Sequence, residues 1–311
     1  MSVAATLAGA VRGKVAENAS LSGFTWFRVG GPADILFTPA DEADLAAGLK
    51  LIPPEVPVTV FGLASNILVR DGGIDGVVVR LTKGFQNIRV EGETVTVGAA
   101  VTDVKAARAA GEAALTGLEF FRGIPGAIGG ALKMNAGAYG GETKDCLVSA
   151  RAVDRNGDVH VLHNADFSFS YRHSDVADDL IFTEATFAGE PGDRDEILAA
   201  MDEITTKREA TQPVRSRTGG STFKNPPNRR SWELIDQAGC RGLTIGKAQI
   251  SKLHCNFMLN LGGASAHELE ELGETVRGRV RKKTGVTLEW EIKRIGRFDG
   301  APIPEFMDMA P

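Results

Sequence analysis

Ser221 draws attention first, because it stands in Arg217-Thr-Gly-Gly-Ser221-Thr-Phe-Lys224-Asn225-Pro226. A serine hydroxyl is a poor acid unless cationic or hydrogen-bonding neighbours stabilise the oxyanion it leaves behind. Lys224 and the nearby arginines are such neighbours. From residue 205 to 230 the basic side chains are Lys207, Arg208, Arg215, Arg217, Lys224, Arg229 and Arg230, with Glu209 alone opposing them. In a chain of net charge −5 this local inversion suits an anionic substrate. Two further spots carry similar potential. Tyr171-Arg172 joins one of two tyrosines to a cation. Leu288-Glu289-Trp290-Glu291-Ile292 alternates as a strand does, which would put both glutamates on one face.

A second kind of signal lies between Gly123 and Gly141. Its glycine density is too high for an ordinary helix or strand, and each glycine loses extra conformational entropy on folding. Close approach of backbone to a bulky ligand, with amides left to bind phosphate, would account for it. Ile124, Ile128, Leu132 and Met134 mark the segment as folded rather than as a linker. Gly62-Leu63-Ala64-Ser65-Asn66 is a second small-residue loop, leaving the apolar run Val58 to Phe61. Together the two loops point to one large anionic cofactor.

Other chemistries find no support. The charge balance argues against nonspecific nucleic-acid binding, which needs a basic face. Cys146, Cys240 and Cys255 are scattered and form no CxxC, so reduced thiols of a cytoplasmic protein are expected. No run approaches the ~20 apolar residues of a membrane helix, and residues 1–11 lack the basic start of a signal peptide. There is no GxGxxG and no HExxH. Gly242 to Lys247 has the wrong spacing for a P-loop. His160 and His163 are expected at the surface, and no metal site is indicated.

These groups need a scaffold. Short β-rich runs at 33–37, 58–61, 77–80, 86–90, 94–98, 147–153, 159–162 and 180–187 are punctuated by Gly, Pro, Asp and Asn. Helices are expected at 41–50, 101–110, 193–210 and 266–284. Asp193 and Glu196 have capping-box spacing, as do Ser265 and Glu268, and Gly285 ends the last helix. Leu269, Leu272, Val276 and Val280 form its buried stripe. The basic residues that follow, Arg277 to Lys283, read as compensation of the helix dipole. At 311 residues about two domains are expected. The break is placed at Gln212-Pro213 and the Gly/Ser/Thr/Pro-rich stretch from Thr218 to Pro227.

Seven stretches, in order, resemble the UDP-N-acetylenolpyruvoylglucosamine reductase (MurB) family. They are Thr25 to Asp34 (TWFRVGGPAD), Gly62 to Asn66, Gly123 to Glu142, Tyr171-Arg-His-Ser174, Gly220 to Pro226, His254-Cys-Asn-Phe257 and Leu288-Glu-Trp-Glu291. The resemblance implies an α+β protein with a two-part FAD-binding region of the vanillyl-alcohol-oxidase (PCMH) type and a C-terminal α+β substrate-binding domain. The implied division is an N-terminal helix at 1–20, FAD subdomains at 21–84 and 85–211, the substrate domain at 212–300 and a tail at 301–311. The short stretch from Arg172 to the helix at 193 resembles the family's compact variety.

The implied reaction uses NADPH and tightly bound FAD to reduce an enolpyruvyl UDP-sugar in peptidoglycan precursor synthesis, with Arg172, Ser221 and Glu291 as the catalytic set. Ser221 matches the proton donor; Arg172 and Glu291 match the residues that polarise the substrate carboxylate. The implied FAD contacts are Gly62, Ala64, Ser65 and Asn66 in one loop. Ile124, Pro125, Ala127, Gly130, Asn135 and Gly137 supply those in the other, and Arg208 lies beyond. Tyr171, Lys224, Asn225 and His254 match substrate positions. A cytoplasmic monomer is expected, without nucleic-acid or membrane partners. Two positions depart from the pattern: Ala64 replaces the loop's second glycine, and Thr211 replaces a lysine before Gln212-Pro213. A different flavin oxidase or dehydrogenase on this scaffold would lack a need for Ser221 and Glu291 together, and a non-enzymatic module would bind without turnover.

Overall fold

In a computed structural model, residues 88–98, 147–163 and 181–188 build a five-stranded antiparallel sheet. Its order is Val159–His163, Leu147–Val153, Ile181–Ala188, Thr94–Gly98, Ile88–Glu91. The three inner strands carry the buried residues Val95, Val97, Ala150, Ala152, Ala185 and Phe187, whereas the two edge strands are mostly exposed. A second sheet runs in the order Lys14–Ser20, Pro32–Thr38, Ile74–Arg80, Val58–Phe61. Residues 2–305 are described, and they divide into two units.

The first unit takes the chain up to Asn18, Asp34–Leu63 and Gly76–Lys207. Its helices are α1 (Val3–Ala10), α2 (Glu42–Lys50), α3 (Asp103–Glu112), α4 (Ile128–Met134), α5 (Thr143–Cys146) and most of α6 (Arg194–Thr211). The periodic apolar residues of these elements meet in one core that includes Phe37, Leu45, Leu49, Val77, Phe121 and Phe187. Asp193 caps α6, its Oδ1 accepting from the amides of Asp195 and Glu196 at 2.9 and 3.0 Å.

The second unit takes Ala19–Ala33, Ala64–Asp75 and the chain from Arg208. It holds α7 (Ser231–Gln237), α8 (Ala266–Thr284) and a three-stranded antiparallel sheet of Thr244–Ile245, Ala248–Ile250 and Met258–Asn260. Ser265 and Glu268 form the expected capping box, and Gly285 closes α8 at φ 73°. Leu269, Leu272, Val276 and Val280 are fully buried in this unit's core. Ile67–Val69 pairs in parallel with Lys293–Ile295, joining segments far apart in sequence.

Several expectations are corrected. The N-terminal helix ends at Ala10, and Lys14–Ser20 is a strand. Gly13 makes the bend, since a Cβ there would lie 2.2 Å from the Thr38 carbonyl oxygen. The glycine-dense segment does contain a helix, α4. Gly129 lets that helix approach Ala99, whose Cβ is 3.3 Å from where a Gly129 Cβ would stand. Residues 288–292 form no regular strand; the ladder begins at Lys293. By packing, the first unit passes to the second at Lys207–Arg208, inside α6 and a few residues before Gln212. The two- and three-residue strands at 244–260 were unforeseen, being too short to show alternation. The part of the 301–311 tail beyond residue 305 lies outside the described residues. All three cysteines are free and buried.

Candidate active site

In the first unit Gly62 adjoins the glycine-dense segment. A Cβ on Gly62 would lie 3.7 Å from that of Ala127, and a Cβ on Gly130 would meet nothing within 4 Å. The amides of Gly62, Leu63 and Ala127 donate to no described backbone carbonyl. Unpaired amides beside open glycines are what a large phosphate-bearing cofactor needs. The residues therefore fit FAD, with Ile124 and Pro125 leading into the same turn. Ile124 is anchored by its amide, which donates to the Phe121 carbonyl at 3.1 Å.

Asn135 does something different from offering its side chain to a ligand. It is fully buried in the left-handed region, at φ 42°. Its Nδ2 donates to the Ser170 carbonyl at 3.1 Å and to Glu142 Oε2 at 3.2 Å, and its Oδ1 accepts from the Lys144 amide at 3.0 Å. It thereby fastens the 170–173 turn, which closes through mutual backbone bonds between Ser170 and His173. Arg172 lies at φ 56° on this turn, and its Nη2 donates to the Gly137 carbonyl at 3.0 Å. Its guanidinium stands 4.9 Å from the centre of the Tyr171 ring, which is 47% exposed. Three expected site residues, Asn135, Gly137 and Arg172, are thus brought together within one unit.

Ala64 has φ 48°, so the departure from glycine leaves an L-residue in the left-handed region. The loop keeps its shape: the Ala64 carbonyl accepts from the Trp26 amide at 3.3 Å. Ala64→Gly should raise stability by about 0.5–1 kcal/mol, the left-handed cost less the added chain entropy of glycine. Thermal or urea unfolding checks this; a lower midpoint in the variant would contradict it.

In the second unit Ser221–Lys224 runs between two other segments. Ser221 bridges Phe257, the Thr222 amide donates to the Asn256 carbonyl at 2.7 Å, and the Glu291 amide donates to the Thr222 carbonyl at 2.9 Å. Ser221 and Glu291, both half-buried, therefore lie on adjacent chains. The Lys224 amide donates to the Glu289 carbonyl at 2.9 Å, and its Nζ lies 3.7 Å from the exposed Glu289 carboxylate. Asn225 Oδ1 accepts from the Ser231 amide at 3.0 Å at the start of α7. Asn66 belongs to this same group: its Nδ2 donates to the Glu291 carbonyl at 3.0 Å, and its carbonyl accepts from the Lys293 amide at 3.0 Å. Arg208 Nε donates to Gln212 Oε1 at 3.2 Å within the last turn of α6.

His254 Nδ1 accepts from the Asn256 amide at 3.3 Å, so the proton of the neutral ring is on Nε2. Burial against Phe257, 4.8 Å between ring centres, pushes the imidazole pKa down. The ring thus stays neutral as pH falls through about 6.5, where the unfolded chain begins to take up the proton. Stability is lost as pH falls below that point. An NMR titration should place the His254 midpoint below the ordinary histidine value; a midpoint at or above it would contradict this.

Two residues were not singled out from the sequence. Asn256 clamps the Phe223 backbone, Nδ2 donating to its carbonyl at 2.8 Å and Oδ1 accepting from its amide at 3.0 Å. Its one signal is a polar residue between Cys255 and Phe257. Asp103, at the first position of α3, is completely buried and neither carboxyl oxygen has a hydrogen-bond partner among the described residues. The Gly126 amide faces it without reaching hydrogen-bond geometry, and burial raises its pKa well above the ordinary carboxyl value. Nothing in the sequence distinguishes it from an ordinary acid at a helix start.

Comparison with known proteins follows this division. Residues 212–295 match the family model described as UDP-N-acetylenolpyruvoylglucosamine reductase, C-terminal domain, and residues 33–163 match an FAD binding domain. The UDP-N-acetylenolpyruvoylglucosamine reductase of Azorhizobium caulinodans is 63% identical over 92% of this chain and 93% of its own. That of Parvibaculum lavamentivorans is 61% identical over 92% of each. The crystal structure of the reductase from Thermus caldophilus superposes with a TM-score of 0.79 at 36% identity, covering 91% of this chain and 98% of its own. The 6-hydroxy-D-nicotine oxidase of Arthrobacter nicotinovorans, at 14% identity and a TM-score of 0.54, covering 89% of this chain and 87% of its own, shares the fold.

Proposed function

Because the chain belongs to the UDP-N-acetylenolpyruvoylglucosamine reductase family, we propose that Ser221, Arg172 and Glu291 carry out the reduction of its enolpyruvyl UDP-sugar to UDP-N-acetylmuramate. The enzyme is an FAD-dependent oxidoreductase of peptidoglycan precursor synthesis. FAD, when bound, would supply the hydride chemistry at C3 of the enolpyruvyl group, with NADPH as the reductant. The amides of Gly62, Leu63 and Ala127 would hold its phosphates.

Ser221 donates the proton that C2 requires once C3 has been reduced. Meeting the charge that then builds on the substrate carboxylate is the task assigned to Arg172 and Glu291, which match the residues that polarise it. His254, with its proton on Nε2, offers a donor to the UDP-sugar, and Lys224 offers a cation. The observation that supports the reading is the bond from the Glu291 amide to the Thr222 carbonyl, which lays the backbone of the Ser221 segment beside that of Glu291. Purified protein should be yellow and should oxidise NADPH only when the enolpyruvyl substrate is present. Colourless protein after gentle purification, or NADPH oxidation driven by O2 alone, would overturn the reading.

We place the enzyme in the cytoplasm as a monomer that binds no nucleic acid. The net charge of −5, the free cysteines and the lack of any described helix long and apolar enough to cross a membrane support this. Light scattering tests the monomer: a mass near twice 33.0 kDa would count against it.

A further inference from the structure

We propose that Trp290, seated in a slot over Gly273 and hydrogen-bonded to Glu274, is a positioning residue that sets the face Glu291 presents to the substrate. This rests on the reading of Glu291 as a catalytic residue. Residues 288–292 lie in no regular strand, so no sheet ladder dictates how their side chains are turned. The segment is held instead by single backbone bonds. The Lys224 amide donates to the Glu289 carbonyl, the Glu291 amide donates to the Thr222 carbonyl, and Trp290 bridges Phe223. Leu288 and Ile292 are buried in the same core that Trp290 packs against, while Glu289 between them is exposed, so successive side chains here take opposite faces. Seating Trp290 against α8 therefore turns Glu291 the other way.

The seat is specific. A Cβ on Gly273 would lie 2.0 Å from Trp290 Cη2 and 2.3 Å from Cζ2, so only glycine admits the ring. Glycine inside a 19-residue helix is otherwise unfavourable. The indole Nε1 donates to Glu274 Oε1 at 2.7 Å. Phe223 packs on the ring at 5.1 Å between centres, and the Arg294 guanidinium stands 4.6 Å from its centre.

Glu274 is itself held rigidly. It and Glu270, one turn apart on α8, are 1% and 2% exposed. Two buried carboxylates this close require cations. Arg277 Nη1 donates to both Glu274 oxygens, at 2.9 and 2.7 Å, and Arg70 donates to both Glu270 oxygens, at 3.0 and 2.9 Å. Arg294 Nη1 joins the two acids, at 3.1 Å to Glu270 and 3.0 Å to Glu274. The acceptor for the indole N–H is thus fixed by several charge-assisted bonds. Phe223, two residues beyond Ser221, extends the same brace to the proton donor's chain.

The test uses holoenzyme and stopped-flow measurement of each half-reaction. Trp290→Phe removes the N–H and keeps the ring packing; Gly273→Ala closes the slot. Both should slow reoxidation by the enolpyruvyl substrate roughly 10–100-fold, the effect of a displacement on the order of 1 Å. Reduction by NADPH should stay near the wild-type rate. In a Glu291→Gln background neither change should slow reoxidation further. If Glu291→Gln slows reoxidation while Trp290→Phe and Gly273→Ala do not, the positioning role is overturned and the catalytic reading stands. Equal slowing of both half-reactions by Trp290→Phe would also overturn it. If Glu291→Gln leaves reoxidation intact, the catalytic reading itself fails, and this inference with it.

Discussion

Ser221→Ala should slow reoxidation by the enolpyruvyl substrate by about 10²–10⁴-fold, the usual contribution of a positioned acid. Reduction by NADPH should remain close to the wild-type rate. The split follows from which step needs the proton. Drawing a hydride from NADPH requires no acid at position 221, whereas completing the substrate's reduction requires a proton at C2. The fold is expected to survive the change, because Ser221 is held by its backbone bridge to Phe257 and by its neighbour Thr222, whose amide bonds Asn256. Alanine keeps those bonds. Rapid-reaction absorbance at the flavin band, first with NADPH and then with substrate, separates the steps. Equal slowing of both would remove Ser221 from the role of proton donor.

The second large effect concerns stability. Asp103 is buried without a hydrogen-bond partner, so its charged form is disfavoured and its pKa is raised. In the unfolded chain the group ionises at about pH 3.9. Above that pH the unfolded state has released a proton that the folded state still holds, so stability falls as pH rises through the window up to the folded pKa. Asp103→Asn removes this dependence. Its stability relative to the wild type should rise steadily as pH rises from about 4 towards the raised folded pKa. Urea unfolding at a series of pH values, with FAD held at one concentration, measures the difference. A difference that stays constant or shrinks as pH rises would contradict the assignment. The position also bears on the cofactor loop, since a Cβ on Gly126 would lie 2.6 Å from Asp103 Oδ2.

Much of the local structure was legible. The limits of α8, its capping box and its buried stripe follow from spacing alone, because a long amphipathic helix repeats its signal over many turns. The long strands of the five-stranded sheet were legible for the same reason. The three-stranded sheet at 244–260 was not, since each strand spans two or three residues. The alternation at 288–292 pointed to a strand, but Trp290 is placed by the slot over Gly273, a contact no local pattern encodes. The glycines of 123–141 pointed to a ligand-facing backbone and hid α4, where Gly129 allows close packing on Ala99. The left-handed turn at Arg172 and the clamp by Asn256 depend on partners more than 30 residues away.

By itself the sequence determined the chemistry on offer: a glycine-lined place for FAD, and an arginine, a serine and a glutamate in recognisable surroundings. These are properties of residue type and short-range spacing, which the chain carries whether or not it is folded. Tertiary structure decided which groups meet. It set Gly62 beside Ala127, paired Ser221's chain with that of Glu291, and tied Asn66 to the Glu291 backbone. It also buried Asp103 without a partner and left Ala64 in a conformation suited to glycine. Hydrogen bonds and packing act over a few ångströms, so contacts between segments more than 200 residues apart exist only once the core has closed around them.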